Sequence, residues 1–306
     1  MSSQTGCATR PAVPGTRRSI LGRRSILGPI TTLMVAGGAA LATAVTGGVS
    51  PAAASTHHRA ATGTHNWIAT GWNIHLANQI DPANTGHFFN TANSFATGPK
   101  SSVNPVTDGF AANAVLVYDS YARFASDIRN HAIGSSYKWV LYDPEEWSQT
   151  PTAEQLDPAK YLRQFGQLAH ANGFKVIEAP GRDLGNVAGP GSSCPELPGE
   201  SLDPWYIRCN IAGIAAASSD VYVLQDQVNT THLAEYDSLF ASARHQALAA
   251  NPQIVVDTEL STNYGTASQM AVAAKSVSAD GYYLTVTRPA IRQADQFLQL
   301  MRTAGF

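Results

Sequence analysis

The chain has 306 residues, of which 44% are hydrophobic, with 22 acidic and 20 basic residues. Five of the arginines and none of the acidic residues lie in the first 54 positions, so the remainder carries a net charge of about −7. An acidic surface of this kind repels nucleic acid and anionic lipid, which argues against both classes of partner. An uncharged ligand fits such a surface better.

The amino-terminal segment has the order of regions expected of an export signal. Residues 16–22 read Thr-Arg-Arg-Ser-Ile-Leu-Gly and are followed by a near copy at 23–28, a Gly- and Ala-rich apolar run, and three alanines at 52–54. The paired arginines resemble the twin-arginine signal, which implies export of a folded protein. The alternative is a single transmembrane anchor, but the glycines, the alanine site and the lack of a following basic segment favour cleavage.

Cleavage after Ala54 leaves residues 55–306, which are 252 in number. We therefore predict an export signal at 1–54, a flexible tail at 55–66 and a single domain at 67–306. This length is typical of one large domain. The mature protein is expected to be secreted, extracellular and monomeric, with no membrane association.

Two cysteines, Cys194 and Cys209, remain after the signal is removed. An even number of cysteines in an exported protein favours a disulfide, and two free thiols are the alternative. Two cysteines at this spacing with no histidine between them supply too few ligands for a metal site.

Seven apolar runs separated by helical patterns predict strands and helices in alternation. The strands are centred near residues 68, 115, 140, 175, 222, 255 and 282, and the helices are expected at 121–131, 158–171, 205–217, 233–250, 267–277 and 290–301. Residues 75–107 are rich in Asn, Thr, Gly and Pro and are interpreted as a long loop that could contain one short strand.

Nearly continuous apolar strands indicate a parallel sheet that is covered on both faces. If residues 75–107 contain an eighth strand, the pattern becomes a (β/α)8 barrel of the TIM type. The alternative is an open, doubly wound parallel sheet, but the first strand is followed by no Gly-x-Gly-x-x-Gly.

Polar residues mark the carboxyl ends of the predicted strands, whereas the other ends are mainly apolar. They are Asn73, Asp119, Asp143 with Glu145, Glu178, Gln225 with Gln227, Asp257 with Glu259, and Thr285. In a barrel these ends meet at one face, which is where active sites lie. The alternative is that each residue only caps a strand.

Counting the hidden strand, Glu145 follows strand four and Glu259 follows strand seven. This arrangement resembles many retaining glycoside-hydrolase barrels, although Pro144 stands where the largest group of such enzymes has an asparagine. The resemblance implies Glu145 as acid/base, with its pKa raised by Asp143 and Glu146, and Glu259 as nucleophile. Glu146 is an alternative to Glu145.

Further residues complete the predicted site. Glu178 is a third candidate acid, or else the partner of Arg182 in a salt bridge. Trp147 is the preferred platform for stacking on a sugar ring. Other predicted substrate-binding residues are Gln225, Gln227, Asp119, Asp257 and Tyr264.

These residues predict a secreted enzyme that cleaves glycosidic bonds of a polysaccharide or cell-wall glycan with two carboxylates. No metal or cofactor is expected, since the chain has no His-Glu-x-x-His and its nine histidines are scattered. It also lacks the Gly-x-Ser-x-Gly of many serine hydrolases. The alternative function is a barrel that binds saccharide or cell-wall material without cleaving it.

Overall fold

The computed structural model describes residues 65–99 and 109–306, so the predicted signal at 1–54 and most of the tail lie outside the described residues. Each strand pairs in parallel with its neighbours in chain order, and the last strand pairs with the first to close a barrel. The eight strands are β1 Asn66–Thr70, β2 Ser94–Pro99, β3 Asn113–Tyr118, β4 Trp139–Tyr142, β5 Lys175–Glu178, β6 Val221–Leu224, β7 Val255–Ser261 and β8 Gly281–Thr285. The predicted (β/α)8 architecture is confirmed, and the open sheet is excluded.

Helices surround this barrel. They are α1 Gly71–Ile80, α2 Pro82–Phe89, α3 Tyr121–Arg129, α4 Thr152–Leu156, α5 Pro158–Ala171, α6 Leu202–Arg208, α7 Ile211–Ala216, α8 Leu233–Ala250, α9 Ala267–Ser276 and α10 Ile291–Thr303. Short 3-10 helices lie at Arg182–Val187, Gln227–Asn229 and Arg288–Ala290. None of the helices in the described ranges is long and apolar enough to cross a membrane.

The region 75–107 differs most from its prediction. The hidden strand exists as β2, but most of the residues before it form α1 and α2 instead of a loop. Each helix begins at a side-chain cap: Thr70 accepts the N–H of Asn73, and Asp81 accepts the N–H of Asn84. The polar composition hid these helices because their stability comes from buried contacts such as Phe88 and Phe89.

Two strand ends also need correction. β1 ends at Thr70, so Asn73 lies inside α1 and does not follow the strand directly. β7 continues to Ser261, so Asp257 and Glu259 lie within the strand. The sequence placed the end too early because acidic residues are uncommon in the interior of a strand.

Alternate residues of each strand face the lumen of the barrel. The lumen is filled by Ile68, Phe95, Val115, Leu141, Ile177, Val221, Val223 and Tyr283. Residues of the opposite parity pack against the helices, among them Trp67, Val140, Val176, Tyr222, Val256 and Tyr282. This alternation decides which polar residues reach the mouth.

The predicted disulfide between Cys194 and Cys209 is present, with 6.0 Å between the two Cα atoms. It joins the loop between the 3-10 helix after β5 and α6 to the residue that follows α6. At the end of α6 the Arg208 guanidinium donates to both carboxylate oxygens of Glu200, which lies in that loop. The loop is therefore attached to α6 by both a disulfide and an ion pair.

Candidate active site

Three inward-facing polar side chains converge where β4, β6 and β7 approach the mouth. They are Asp143, Gln225 and Glu259. Leu141 faces the lumen, so Asp143 is the next inward residue, and Gln225 follows Val223 on β6 in the same way. Gln225 Nε2 donates to Asp143 Oδ1 at 2.5 Å and to the Ala179 carbonyl at 2.7 Å. This amide therefore joins the ends of β4, β5 and β6.

Asp143 lies at the centre of a group of carboxyls. Desolvation raises its pKa well above the usual range, and nearby Glu145, Glu259 and Asp119 raise it further. The hydrogen bond from Gln225 opposes this by favouring the ionised form. Four carboxyls from β3, β4 and β7 thus interact at the mouth.

Glu259 is only 5% exposed and lies on the inward face of β7. Burial raises its pKa to about 8, with a smaller contribution from Glu145. Thr285 Oγ1 donates to Glu259 Oε1 at 2.5 Å, which lowers the pKa. The hydroxyl at the end of β8 therefore stabilises the ionised form of Glu259.

Glu145 is half-buried in the turn after β4. Pro144 prevents the strand from continuing into this turn, because proline has no N–H to donate to the ladder of the sheet. Burial raises the pKa of Glu145 to about 7, and Asp183 and Asp119 also raise it. The hydrogen bond from Gln225 again opposes the shift. At neutral pH this carboxyl can hold or release a proton.

Thr150 fixes the geometry of this turn. Its hydroxyl accepts the N–H of Glu145 at 3.3 Å and the indole N–H of Trp147 at 2.9 Å, and it donates to the Asp119 carbonyl at 2.9 Å. The Trp147 backbone N–H also donates to the Glu145 carbonyl at 2.9 Å. Trp147 is thus held half-buried immediately beside Glu145.

Glu154 has a supporting position that the sequence did not indicate. Its carboxylate accepts hydrogen bonds from the Tyr121 and Ala122 backbone N–H groups at the start of α3, and from the hydroxyls of Ser120 and Tyr142. The contacts from Ser120, Tyr121 and Ala122 connect the segment after β4 to the end of β3, and the contact from Tyr142 connects it to β4. Glu154 therefore fixes the positions of the ends of β3 and β4 relative to each other.

Glu178 and Asp257 lie away from the group at the mouth. Glu178 has the parity of Val176, so it faces the helices, where the Ser218 hydroxyl donates to it at 3.3 Å. Asp257 precedes Glu259 by two residues and lies deeper in the lumen, close to Gly281. Burial raises the pKa of both groups well above the usual range.

The other predicted residues lie around the mouth or near it. Asp119 follows β3 and interacts with Asp143 and Glu145. Gln227 begins the 3-10 helix after β6 and is half-buried, while Tyr264 follows β7 and is 46% exposed. Among the residues considered as the acid, Glu146 is exposed and accepts a hydrogen bond from Asn186 at 2.9 Å, so it points away from the group.

Besides Thr150 and Glu154, two further residues at the site were missed from the sequence. Tyr283 faces the lumen two residues before Thr285, and its pKa is raised by burial and then by the charges of Asp143 and Glu259. Strand parity could have found it. Asp183, in the 3-10 helix after β5, is the strongest charged influence on Glu145, and no sequence pattern pointed to it.

Few positive charges balance these acids. No lysine or arginine in the described ranges forms an ion pair with Asp143, Glu145 or Glu259. Over the same residues, no group of three or more His, Cys, Asp or Glu side chains is arranged to hold a metal ion. The site is thus a set of interacting carboxyls with amide and hydroxyl partners.

These observations define the class of the protein: an eight-stranded parallel barrel with a polar, acidic site at the carboxyl ends of its strands. In such barrels this face carries the active site.

No protein-family model and no curated protein matches the chain. Solved structures that are similar to it include a Schiff-base-forming fructose-1,6-bisphosphate aldolase, at 12% identity, with 78% of this chain and 92% of that chain covered and a TM-score of 0.43. An orotidine 5'-monophosphate decarboxylase from Methanocaldococcus jannaschii has 9% identity, 77% and 97% coverage and a TM-score of 0.40. A sugar phosphate isomerase/epimerase from Parabacteroides distasonis has 10% identity, 80% and 96% coverage and a TM-score of 0.41. At this level of similarity none of their activities is carried over to this chain.

Proposed function

We propose that the protein is a glycoside hydrolase that cleaves glycosidic bonds in a polysaccharide or cell-wall glycan. The observation that carries this proposal is the interaction of Glu145 and Glu259 across the mouth, each with a raised pKa. Glycosidic cleavage needs one carboxylic acid to protonate the leaving oxygen and a second carboxylate to attack the sugar or to activate water.

The two carboxyls differ in position, and this supports distinct roles. Glu145 lies in the turn at the rim beside Trp147, so it is assigned to protonate the leaving oxygen. Glu259 lies deeper on β7, and the hydroxyl of Thr285 stabilises its charge, so it is assigned to the reacting sugar carbon. Trp147 offers a half-buried ring on which a sugar could stack.

The ionisation of the pair supports activity near neutral pH. With pKa values of about 7 and about 8, the two groups together hold one proton over a narrow range, and the higher pKa places that proton mainly on Glu259 in the free protein. The assigned roles use the less populated form, in which Glu145 holds the proton and Glu259 is ionised. Catalysis requires one protonated and one ionised group. We therefore expect a bell-shaped dependence of kcat/KM on pH, rising near pH 7 and falling near pH 8.

The test is release of reducing sugar from a panel of neutral and amino-sugar polysaccharides, with wild-type protein and three variants. Glu145→Gln and Glu259→Gln should each lower kcat/KM by about 10²- to 10⁴-fold because each removes a proton donor or a nucleophile. Glu146→Gln is the matched control and should retain activity, since its side chain points away. Equal activity in all four proteins would refute the assignment of residues.

Binding to the same polysaccharides distinguishes the alternative function. A barrel that binds saccharide without cleaving it would retain the glycan on an affinity gel and release no sugar. Cleavage by the wild type, with binding but no cleavage by Glu145→Gln, is the result expected of the enzyme.

We also propose that the protein is exported and cleaved after Ala54. The paired arginines, the apolar run and the three alanines support this, and the Cys194–Cys209 disulfide fits an oxidising compartment.

A further inference from the structure

The backbone of Gly181 lies in a narrow space between two carboxyl side chains. Its N–H donates to the Pro144 carbonyl at 2.9 Å, which ties the end of β5 to the turn after β4. A Cβ atom at this position would lie 2.4 Å from Asp183 Oδ1 and 2.8 Å from Glu145 Cγ. These two atoms are therefore at most 5.2 Å apart, and only glycine leaves room for the approach.

One carboxylate oxygen of Asp183 is free to accept a further hydrogen bond. Backbone N–H groups of Glu146 and Leu184 act on its carboxylate and favour the ionised form. Its Oδ1 atom is buried and has no hydrogen-bond partner among the described residues. A buried acceptor without a donor is costly, so the site favours a proton-bearing group beside it.

The neighbouring Arg182 holds Asp183 in place. The Arg182 guanidinium forms an ion pair with Asp203 on α6, and its Nη1 lies 3.7 Å from Asp226 Oδ1 after β6. Arg182 is only 8% exposed. The 3-10 helix that carries Asp183 is therefore fixed to two other elements of the barrel.

Several titratable or polar groups face Glu145. They are Asp119 after β3, Asp143 on β4, Asp183 after β5, Gln225 after β6, Glu259 on β7 and Tyr283 on β8. After burial, the charge of Asp183 is the largest influence on Glu145.

We propose that Asp183 is a positioning residue that accepts a hydrogen bond from the protonated carboxyl of Glu145, so that the two side chains share one proton above Gly181. The contact requires only rotation of the Glu145 carboxyl, since its oxygens lie two bonds beyond Cγ. This inference rests on the proposed function, because it explains how Glu145 keeps a proton for the leaving oxygen.

The proton balance is simple. In the form that reacts, Glu145 holds the proton, and Asp183 and Glu259 are ionised. During cleavage the O–H bond of Glu145 breaks as an O–H bond forms on the leaving oxygen, and the glycosidic C–O bond breaks as the Glu259 carboxylate bonds to the sugar carbon. Two neighbouring carboxylates then remain, and their repulsion favours return of a proton from the water that completes hydrolysis.

The direct test does not depend on activity. The carboxyl carbon of Glu145 is followed by NMR during a pH titration of the protein labelled with ¹³C-glutamate, and its signal is assigned from its absence in Glu145→Gln. The wild type should titrate near pH 7. Asp183→Asn should lower this midpoint by about one pH unit because it removes the neighbouring charge. Glu196→Gln, an exposed acid in the disulfide loop, is the control and should leave the midpoint unchanged.

Gly181→Ala provides a second variant that retains both carboxyls. The added methyl group should push Asp183 and Glu145 apart and also lower the midpoint, with the fold checked by circular dichroism. If neither Asp183→Asn nor Gly181→Ala moves the midpoint, the inference is wrong.

Activity then separates a positioning role from a structural one. In Asp183→Asn the limb of the kcat/KM profile near pH 7 should move to lower pH while the limb near pH 8, set by Glu259, stays in place, whereas a structural defect would lower activity equally at every pH. A shifted midpoint without any sugar release would retain the Glu145–Asp183 pair and reject the proposed function. Sugar release with an unshifted midpoint would retain the proposed function and reject the Glu145–Asp183 pair.

Discussion

Asp257 lies on the inward face of β7 but takes no part in the interactions at the mouth. Both of its carboxyl oxygens are buried without a well-formed hydrogen bond, although the side chain of Asn66 is close enough to lower its pKa. Burial raises the pKa much more than Asn66 lowers it. Burial of this carboxyl therefore lowers the stability of the folded protein, and the side chain has no role in the proposed reaction.

We predict that Asp257→Asn stabilises the protein at pH 7.5. The folded-state pKa of Asp257 is raised, so folding favours the protonated form. Its stabilising contribution is present below the ordinary pKa of an aspartate and is lost as the pH rises towards the folded-state value. Removing the charge should raise the free energy of unfolding by about 1–3 kcal/mol at pH 7.5.

Urea denaturation at pH 7.5 and pH 4 measures this effect. Most of the gain should disappear at pH 4, close to the ordinary aspartate pKa of 3.8, because the folded chain keeps the proton there and the unfolded chain carries it for a large part of the time. The exposed Glu235→Gln on α8 is the control and should change little at either pH. A loss of stability at pH 7.5 would mean that the charge of Asp257 is compensated in the folded protein.

At the scale of elements, two aspartates at the amino ends of strands repeat one arrangement. Asp220 precedes β6 and accepts the N–H of Val176 on β5 at 2.9 Å, and Asp280 precedes β8 and accepts the N–H of Val256 on β7 at 2.9 Å. A basic side chain on the helix before the paired strand contacts each carboxylate at 3.0 Å; these are His170 on α5 and Arg244 on α8. These two acids are paired with basic side chains, whereas Asp143, Glu145 and Glu259 at the mouth form no ion pair with a lysine or arginine among the described residues.

The approach of α5 to the loop before β6 depends on Gly166. A Cβ atom there would lie 2.1 Å from the Ser218 carbonyl oxygen and 2.7 Å from the Ser218 Cβ. Ser218 in turn donates to Glu178 on the outer face of β5. We predict that Gly166→Ala lowers the free energy of unfolding by about 1–3 kcal/mol, because a packed interface must shift to admit the methyl group.

Chemical denaturation of Gly166→Ala and Gly134→Ala tests this prediction. Gly134 is a suitable control, since the nearest atom to its added Cβ would be Tyr137 Cδ2 at an ordinary 3.7 Å. Comparable stability of the two variants would show that α5 can move away from Ser218 at little cost.

At the scale of the whole molecule, closure of the sheet brings together acids that are far apart in the chain. Asp119, Asp143 and Glu259 interact across the mouth although up to 140 positions separate them. A closed parallel barrel places the carboxyl ends of all its strands at one face. An open sheet would not bring the ends of its outer strands together.

We predict that the mature protein recovered from the culture medium begins at Ser55 and contains an intact disulfide. Intact mass under non-reducing conditions should be two hydrogen masses below that of the reduced residues 55–306. Because the Arg-Arg-Ser-Ile-Leu-Gly segment occurs twice, replacing one arginine pair by lysines should retain export and replacing both pairs should abolish it. Recovery of uncleaved chain in the membrane fraction would favour the anchor instead.

Much of the architecture followed from local patterns. The bounds of α5 and α8 agree with prediction because helical spacing of apolar residues is long and regular there. The helices in 71–89 were missed because their sequence is polar and their stabilising contacts are distant. The disulfide could be predicted because the two cysteines that remain after the proposed signal allow only one intramolecular pairing.

The sequence by itself indicated that parallel strands alternate with helices and that acids and amides lie near the ends of several strands. It assigned Glu145 and Glu259 to the ends of strands four and seven only if residues 75–107 contained a further strand. Only the tertiary structure decided that Glu178 faces the helices, that Asp257 lies deep in the lumen and that Asp183 approaches Glu145 above Gly181. The physical reason is that strand periodicity gives relative parity along one strand. The absolute direction of a side chain depends on closure and register between strands that are distant in sequence.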